Sequence, residues 1–161
     1  MIEAIVAVYS DWGIGCGGTQ PVVVHADRCR FREVTDGAAV IVGRKTLADF
    51  PGGRPLKGRE NIVLSRTARA IPGAVVMPDA ESALREAKKY PRAIVIGGAS
   101  VYEQLLPETE RVYVTKIDAR PASDAFFPDL DADPAWRCTD PGEEQAEEGV
   151  SFRFAVYERV R

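Results

Sequence analysis

The chain has 161 residues, 45% of them apolar and 28% charged, with 21 basic against 24 acidic side chains and a net charge of -3. This size suits a single domain, residues 1–161, with a full core, and the composition excludes a fibrous or largely disordered protein. The mild acidity provides no general attraction to nucleic acid or an anionic membrane, so an anionic ligand needs a local cationic site. Apolar runs such as Ala4 to Tyr9 fall far short of the roughly 18 residues of a membrane span, and the acidic start Met1-Ile2-Glu3 lacks a secretory signal's basic region. The expectation is a cytoplasmic monomer with no nucleic-acid or membrane partner. Cys16, Cys29 and Cys138 are odd in number and lack metal-ligand spacing, which predicts ordinary thiols and no metal site.

In chain order, Ile2 to Tyr9 is an apolar run with the character of a strand buried on both faces, ended by the glycine-rich stretch Asp11 to Thr19. His25 to Thr35 reads as a helix. Ala39 to Val42 and Ile62 to Leu64 read as buried strands, with a short helical segment around Thr46 to Phe50 between them. Asp79 is an N-cap candidate for a helix Ala80 to Tyr90, with Ala83, Leu84 and Ala87 on one face and Pro91 closing it. Strand Ala93 to Ile96 runs into Gly97-Gly98, followed by a helix Ser100 to Leu106 and a strand Arg111 to Ile117. The tail alternates Phe152, Phe154 and Val156 against Arg153, Ala155 and Tyr157, which predicts an antiparallel strand with a partner near Trp136. Interleaved strands and helices predict a three-layer α/β fold: a mostly parallel central sheet, an antiparallel C-terminal strand, and helices on both faces. Its binding site is expected beyond the carboxyl ends of the strands.

Four features bear on chemistry. Gly13-Ile14-Gly15-Cys16-Gly17-Gly18 satisfies G-x-G-x-x-G, but the run Thr19-Gln20-Pro21-Val22-Val23-Val24 that follows resists helix, so the usual dinucleotide turn is not expected there. A mobile glycine loop at a site mouth fits better. In the helix His25 to Thr35, Asp27, Phe31 and Val34 fall at i, i+4 and i+7, which places a carboxylate on the apolar face. Two explanations fit: a first-turn acid that favours the helix and pairs with Arg30 at i+3, or a functional carboxylate with a raised pKa facing a polar heterocycle. His25, the only histidine, reads as a surface residue.

The other two features are strand ends. Gly43-Arg44-Lys45-Thr46 and Ser65-Arg66-Thr67 put cations and hydroxyls beyond the carboxyl edge of the sheet, and Gly97-Gly98 lets backbone approach a pyrophosphate closely. Three strand ends with phosphate-binding groups point to a nucleotide cofactor, and the number of cations favours NADPH over NADH. No nucleophilic triad, P-loop or metal constellation is present in the sequence, so hydrolysis and phosphoryl transfer have little support.

The series of motifs resembles dihydrofolate reductase across nearly the whole chain: Ile5 to Val8, Trp12-Gly13-Ile14-Gly15, Asp27 with Phe31, Val42-Gly43-Arg44-Lys45-Thr46, Arg54-Pro55-Leu56, Gly58-Arg59, Asn61 to Arg66, Ile96-Gly97-Gly98 with Tyr102, and Phe127-Pro128. The resemblance implies NADPH-dependent reduction of 7,8-dihydrofolate, with dihydrofolate and antifolates as ligands. By position, Asp27 would hold the pteridine N3 and 2-amino group and support protonation at N5, and Thr115 would hydrogen-bond its carboxylate. Ile5, Ala7, Phe31, Phe50, Leu56, Ile96 and Tyr102 would line the folate pocket, and Arg59 would bind the glutamate α-carboxylate. Arg44, Lys45, Thr46, Ser65 and Arg66, beside Gly43 and Leu64, would hold the adenosine phosphates. Ile96, Gly97, Gly98, Ala99, Ser100, Val101 and Tyr102 would hold the pyrophosphate and nicotinamide, which Ala7, Ile14 and Gly15 would also touch, with the glycine-rich loop as a lid.

Two positions depart from the family pattern. Val22 stands where the family usually has Trp after the loop proline, which removes an indole N–H able to anchor water near the proton path. Arg28 stands where an apolar residue is usual beside the acid, and is expected to reach the benzoyl-glutamate end of the substrate, weakening inhibition by antifolates that lack a glutamate. Two other functions stay open at this point: the pyrimidine reductase of riboflavin biosynthesis, similar in architecture, and an NADPH-binding module without activity.

Overall fold

The structure, a computed structural model, describes residues 1–67 and 70–160. In chain order the elements begin with strands β1 (Ile2–Val8) and β2 (Gly13–Gly15), helix α1 (His25–Thr35), strand β3 (Ala39–Gly43) and helix α2 (Arg44–Ala48). Next come β4 (Glu60–Leu64), β5 (Ala74–Met77), α3 (Ala80–Ala87), β6 (Ala93–Gly97) and α4 (Ala99–Leu105). The chain continues with β7 (Arg111–Ile117), β8 (Ala125–Phe126), β9 (Trp136–Asp140), β10 (Gln145–Glu147) and β11 (Val150–Arg159). Two compact units divide the chain: Met1–Ala4 with Val34–Thr109 form the first, and Ile5–Glu33 with the chain from Glu110 onward form the second.

In the first unit the strand order is β1-β6-β3-β4-β5, and every pairing is parallel. Ala39, Val40, Ile41 and Val42 of β3 are buried, as are Ile62 and Val63 of β4 and Ala93 to Ile96 of β6, as required of strands covered on both faces. The Asp79 side chain caps α3 by accepting from Ser82 N at 2.8 Å. The helix stops at Ala87 rather than Tyr90, because Lys89 N and Tyr90 N bond back three residues to Glu86 and Ala87 and tighten the last turn. Helix α2 spans Arg44 to Ala48, so Phe50 lies outside it: the residue before Pro51 is extended at φ -71, ψ 158. Strand β5 went unread in the sequence, although Ala74-Val75-Val76-Met77 is an apolar run between Gly73 and Pro78.

In the second unit the order is β10-β11-β7-β1, and β9 also pairs β11. β7, β9 and β10 are all antiparallel to β11, giving the expected antiparallel C-terminal strand and its partner at Trp136. The face assignment differs from the expected alternation: Ala155 and Tyr157 are buried along with Phe152, while Phe154 and Val156 are half-buried. β11 has neighbours on both edges, its register against β9 shifts between Val156 and Tyr157, and Trp12 meets the Tyr157 ring edge-on at 5.9 Å. The mostly parallel sheet with an antiparallel C-terminal strand is thus the observed architecture. No helix among the described residues is long and apolar enough to cross a membrane.

Candidate active site

The first unit carries a cleft of about 820 Å³ at the carboxyl ends of β3, β4 and β6. Gly43, Arg44, Lys45 and Thr46 line it from the β3 end, Leu64, Ser65, Arg66 and Thr67 from the β4 end, and Gly98, Ala99, Ser100 and Val101 from the β6 end. The three strand ends singled out in the sequence therefore meet in one place. Helices α2 and α4 both begin there, with Gly43 and Gly98 as N-caps that provide no side-chain cap.

Close backbone approach explains the two glycines. A Cβ on Gly98 would lie 2.7 Å from Thr46 Oγ1, and one on Gly43 would lie 3.1 Å from Val101 Cγ2 and 3.7 Å from Gly98 N. Side chains at these positions would fill the cradle that leaves backbone N–H groups facing the cleft. The Gly97–Gly98 peptide is cis. Arg44, Lys45 and Arg66 are exposed, so their cationic heads are available to a multiply charged anion. The residues fit a phosphate-bearing nucleotide.

Lining residues Pro78, Asp79 and Gln104 were missed in the sequence. Pro78 and Asp79 follow the unread β5, and recognising that strand would have supplied a fourth strand end. Of the predicted cofactor positions, Ile96, Gly97 and Tyr102 are buried in the first unit outside this cleft, and Ala7, Ile14 and Gly15 belong to the second unit.

The second unit holds the candidate acid, the half-buried Asp27. α1 begins at His25, where the Glu147 carboxylate from β10 accepts from the backbone N–H of His25 and, at 3.1 Å, of Ala26. An anion at this end suits the helix dipole. In the same first turn, Asp27 Oδ1 accepts a 2.6 Å hydrogen bond from Thr115 Oγ1 of β7, 88 residues away. Burial pushes the Asp27 carboxyl above its ordinary range; the Thr115 hydroxyl, Arg30 and Arg28 pull in the other direction without overcoming it. The i+3 cation is not the carboxylate's hydrogen-bond partner, since the Arg30 guanidinium lies over the Phe154 and Tyr113 rings.

The remaining second-unit candidates have distinct surroundings. Ile5 is buried, Ala7 and Phe31 are half-buried, and Arg28 is exposed. The glycine-rich loop is anchored: β2 pairs β8, Asp124 N donates to Gly15 O at 2.9 Å, and Gly17 N donates to Asp124 Oδ2 at 2.9 Å. Val22 is held through its backbone by the Tyr9 hydroxyl, which donates to Val22 O and accepts from Val22 N. Its side chain packs on the cluster of Tyr9, Val24, Ile117 and Phe152.

In the first unit, Leu56 is fixed by two backbone hydrogen bonds to the Asn61 side chain at 2.9 Å, and Phe50 is half-buried. Arg59 donates from Nε to Thr35 Oγ1 at 3.2 Å and from a terminal nitrogen to Lys57 O at 2.7 Å, which orients the guanidinium. Cys29 lies 3.6 Å from His25 Nε2, and all three cysteines are exposed and free. On the helical wheel Cys29 is on the far side from Asp27, so it has no part in the acid's surroundings.

A parallel sheet with a cation-lined cleft at its strand ends, in a chain that also holds a half-buried carboxylate under a hydroxyl, defines an α/β protein with a site suited to a phosphorylated cofactor. Comparison with known proteins narrows the class. The sequence model of the family described as dihydrofolate reductase matches residues 1–159. The chain is 37% identical over 164 residues to a dihydrofolate reductase of Mycobacterium tuberculosis, covering 99% of this chain and 98% of the relative. It is 35% identical over 158 residues to one of Neisseria gonorrhoeae, covering 97% and 96%. A solved dihydrofolate reductase from Enterococcus faecalis, complexed with NADP(H) and RAB-propyl, superposes with a TM-score of 0.90 at 29% identity, covering 100% of this chain and 97% of that one. This chain belongs to the dihydrofolate reductase family of enzymes.

Proposed function

We propose that this chain reduces 7,8-dihydrofolate to 5,6,7,8-tetrahydrofolate with NADPH, serving one-carbon metabolism as a cytoplasmic monomer with residues 1–161 as one domain. The observation that carries the proposal is the half-buried Asp27 carboxylate held by Thr115. A carboxyl whose burial raises its pKa keeps a proton available nearer to neutral pH than an exposed one does.

Bound NADPH supplies the hydride that is added at pterin C6. The protein's share is binding, orientation and the proton. Thr115 fixes the rotamer of Asp27 by occupying Oδ1, and Oδ2 remains for the pteridine N3 and 2-amino group. Asp27 then governs protonation at N5, with water completing the path where Val22 provides no indole N–H. Ile5, Ala7, Phe31, Phe50, Leu56, Ile96 and Tyr102 supply the apolar surroundings of the substrate. Arg59, oriented by Thr35 and Lys57, takes the glutamate α-carboxylate in the bidentate geometry that guanidinium favours.

The cleft of the first unit is assigned to the cofactor's phosphates. Arg44, Lys45, Thr46, Ser65 and Arg66, with Gly43 and Leu64, hold the adenosine side, and Gly98, Ala99, Ser100 and Val101 the pyrophosphate, with Gly97, buried outside the cleft, assigned to the same group. Ile14 and Gly15, on the loop tied to Asp124, close over the reacting atoms with Ala7 and exclude bulk water. Arg28, exposed one residue after Asp27, is assigned to the benzoyl-glutamate end of dihydrofolate; diaminopyrimidine antifolates without that group gain nothing from it. If Arg28→Leu leaves both the dihydrofolate KM and the diaminopyrimidine Ki unchanged, that assignment is wrong.

The test of the activity is loss of NADPH absorbance with and without dihydrofolate, in parent and Asp27→Asn. Dihydrofolate-dependent oxidation in the parent that collapses in the variant at neutral pH is the expected result. Oxidation with a ribosylamino-pyrimidine alone, or NADPH binding without turnover of either substrate, would replace the proposal.

A further inference from the structure

Arg30 has no role in the steps assigned so far, yet it is the cation i+3 from Asp27 on α1. Its guanidinium carbon lies 4.7 Å from the Phe154 ring centroid and 5.8 Å from that of Tyr113, and its Nε is buried without a hydrogen-bond partner. Phe154 is the register partner of Thr115, and Tyr113 precedes Thr115 by two residues on β7. The three side chains therefore share one face of the β7 and β11 ladder. α1 is fastened to that face at adjacent points, by the Asp27 carboxylate on the Thr115 hydroxyl and by the Arg30 guanidinium on the rings beside it.

A guanidinium held by rings keeps its charge available to a nearby acid, and charges act on each other more strongly in such partly desolvated surroundings than in water. Guanidinium groups are always charged in proteins, so such an influence is constant. Arg30 is the stronger of two cations that oppose the effect of burial on Asp27, ahead of the exposed Arg28. The other titratable groups near the first turns of α1 are placed differently. Glu147 of β10 is engaged with the His25 and Ala26 backbone, and His25 and Cys29 are exposed on the outer side of the helix. From β7 the Tyr113 ring faces Arg30, whereas Lys116 is bonded to Asp131 and Tyr157.

We propose that Arg30 is a positioning residue for the reduction: its ring-clamped guanidinium sets the pH at which Asp27 takes and releases its proton, and with it the alkaline limit of turnover. The proposal rests on Asp27 being the acid of the reaction. Arg30→Met keeps an apolar stem over the rings and removes the charge, and Arg30→Lys keeps the charge. The measurements are the pH dependence of saturated turnover and, in the same ligand-free proteins, the carboxyl carbon NMR titration of Asp27, assigned by its disappearance in Asp27→Asn.

Removing a cation raises the acid's midpoint, so Arg30→Met is expected to move both the NMR midpoint and the falling limb of turnover up by about one pH unit. Arg30→Lys is expected to leave both near the parent. Arg30→Gln takes the place of the methionine variant should that one not fold. Unmoved midpoints in the neutral variant, with Asp27→Asn still far slower than the parent at neutral pH, would overturn the proposal and leave Asp27's role standing. A parent-like pH profile in Asp27→Asn would overturn the assignment of Asp27 itself, and the role of Arg30 with it.

Discussion

The two units solve different problems with different materials. The cleft of the first unit is made of backbone and exposed charge: two uncapped helix starts, glycines that let them approach, and the cations Arg44, Lys45 and Arg66. The acid site of the second unit rests on one half-buried carboxylate and one buried hydroxyl. Many exposed contacts tolerate the loss of any one and are screened by salt, whereas a single partly buried contact has no substitute and is screened much less. The first arrangement suits binding a highly charged cofactor, and the second suits controlling one proton.

This contrast is sharpest in the variants that attack each side. Removing two cations together, Arg44→Ala with Arg66→Ala, is expected to weaken NADPH binding by at least about 100-fold, since hydrogen bonds to charged groups contribute about 1.5–3 kcal/mol each. Titration calorimetry at two salt concentrations checks it, and the loss should shrink as salt rises. Gly98→Ala attacks the cradle itself. Its Cβ would sit 2.7 Å from Thr46 Oγ1, so a loss of about 1–3 kcal/mol of stability is expected in denaturant unfolding, with part of it recovered in combination with Thr46→Ala.

On the acid side the sign reverses. The folded-state pKa of Asp27 lies above its unfolded value, so the stability it contributes is full below the unfolded pKa and is lost as pH rises through the folded one. Asp27→Asn should therefore be more stable than the parent at neutral pH, by on the order of 1 kcal/mol, and lose that advantage in acid. Urea unfolding at several pH values tests this, and a variant less stable than the parent at neutral pH would contradict it. The smallest expected effect is that of Glu147→Gln, which removes a charge from the α1 N-terminus and should cost about 0.3–1 kcal/mol in the same assay.

The two regions also differed in how readily the sequence revealed them. Each part of the cleft is a short stretch in which an apolar run meets glycine, hydroxyl or cation, so local chemistry alone singled out Arg44, Ser65 and Gly98, which line one cleft in the structure. The part that escaped, around Pro78, follows a strand of only four residues, all half-buried, which carries little apolar signal of its own. Asp27 stood out as a carboxylate on an apolar helical face, but its i+3 cation suggested a local ion pair. Only the fold shows that the charge goes to the Phe154 and Tyr113 rings. The alternation in β11 misled for a related reason: it assumes one solvated face, and neighbours on both edges with Trp12 over Tyr157 remove that assumption.

The most direct test of the account is dihydrofolate turnover by Asp27→Asn and the parent from about pH 5 to 8, the interval in which a raised carboxyl pKa acts. The account predicts that the parent loses rate with rising pH, and that the variant is at least about 100-fold slower at neutral pH and recovers part of the rate in acid, where the solvent supplies the proton. A variant that matches the parent in rate and pH dependence would contradict the claim that the half-buried acid under Thr115 controls the proton of the reaction.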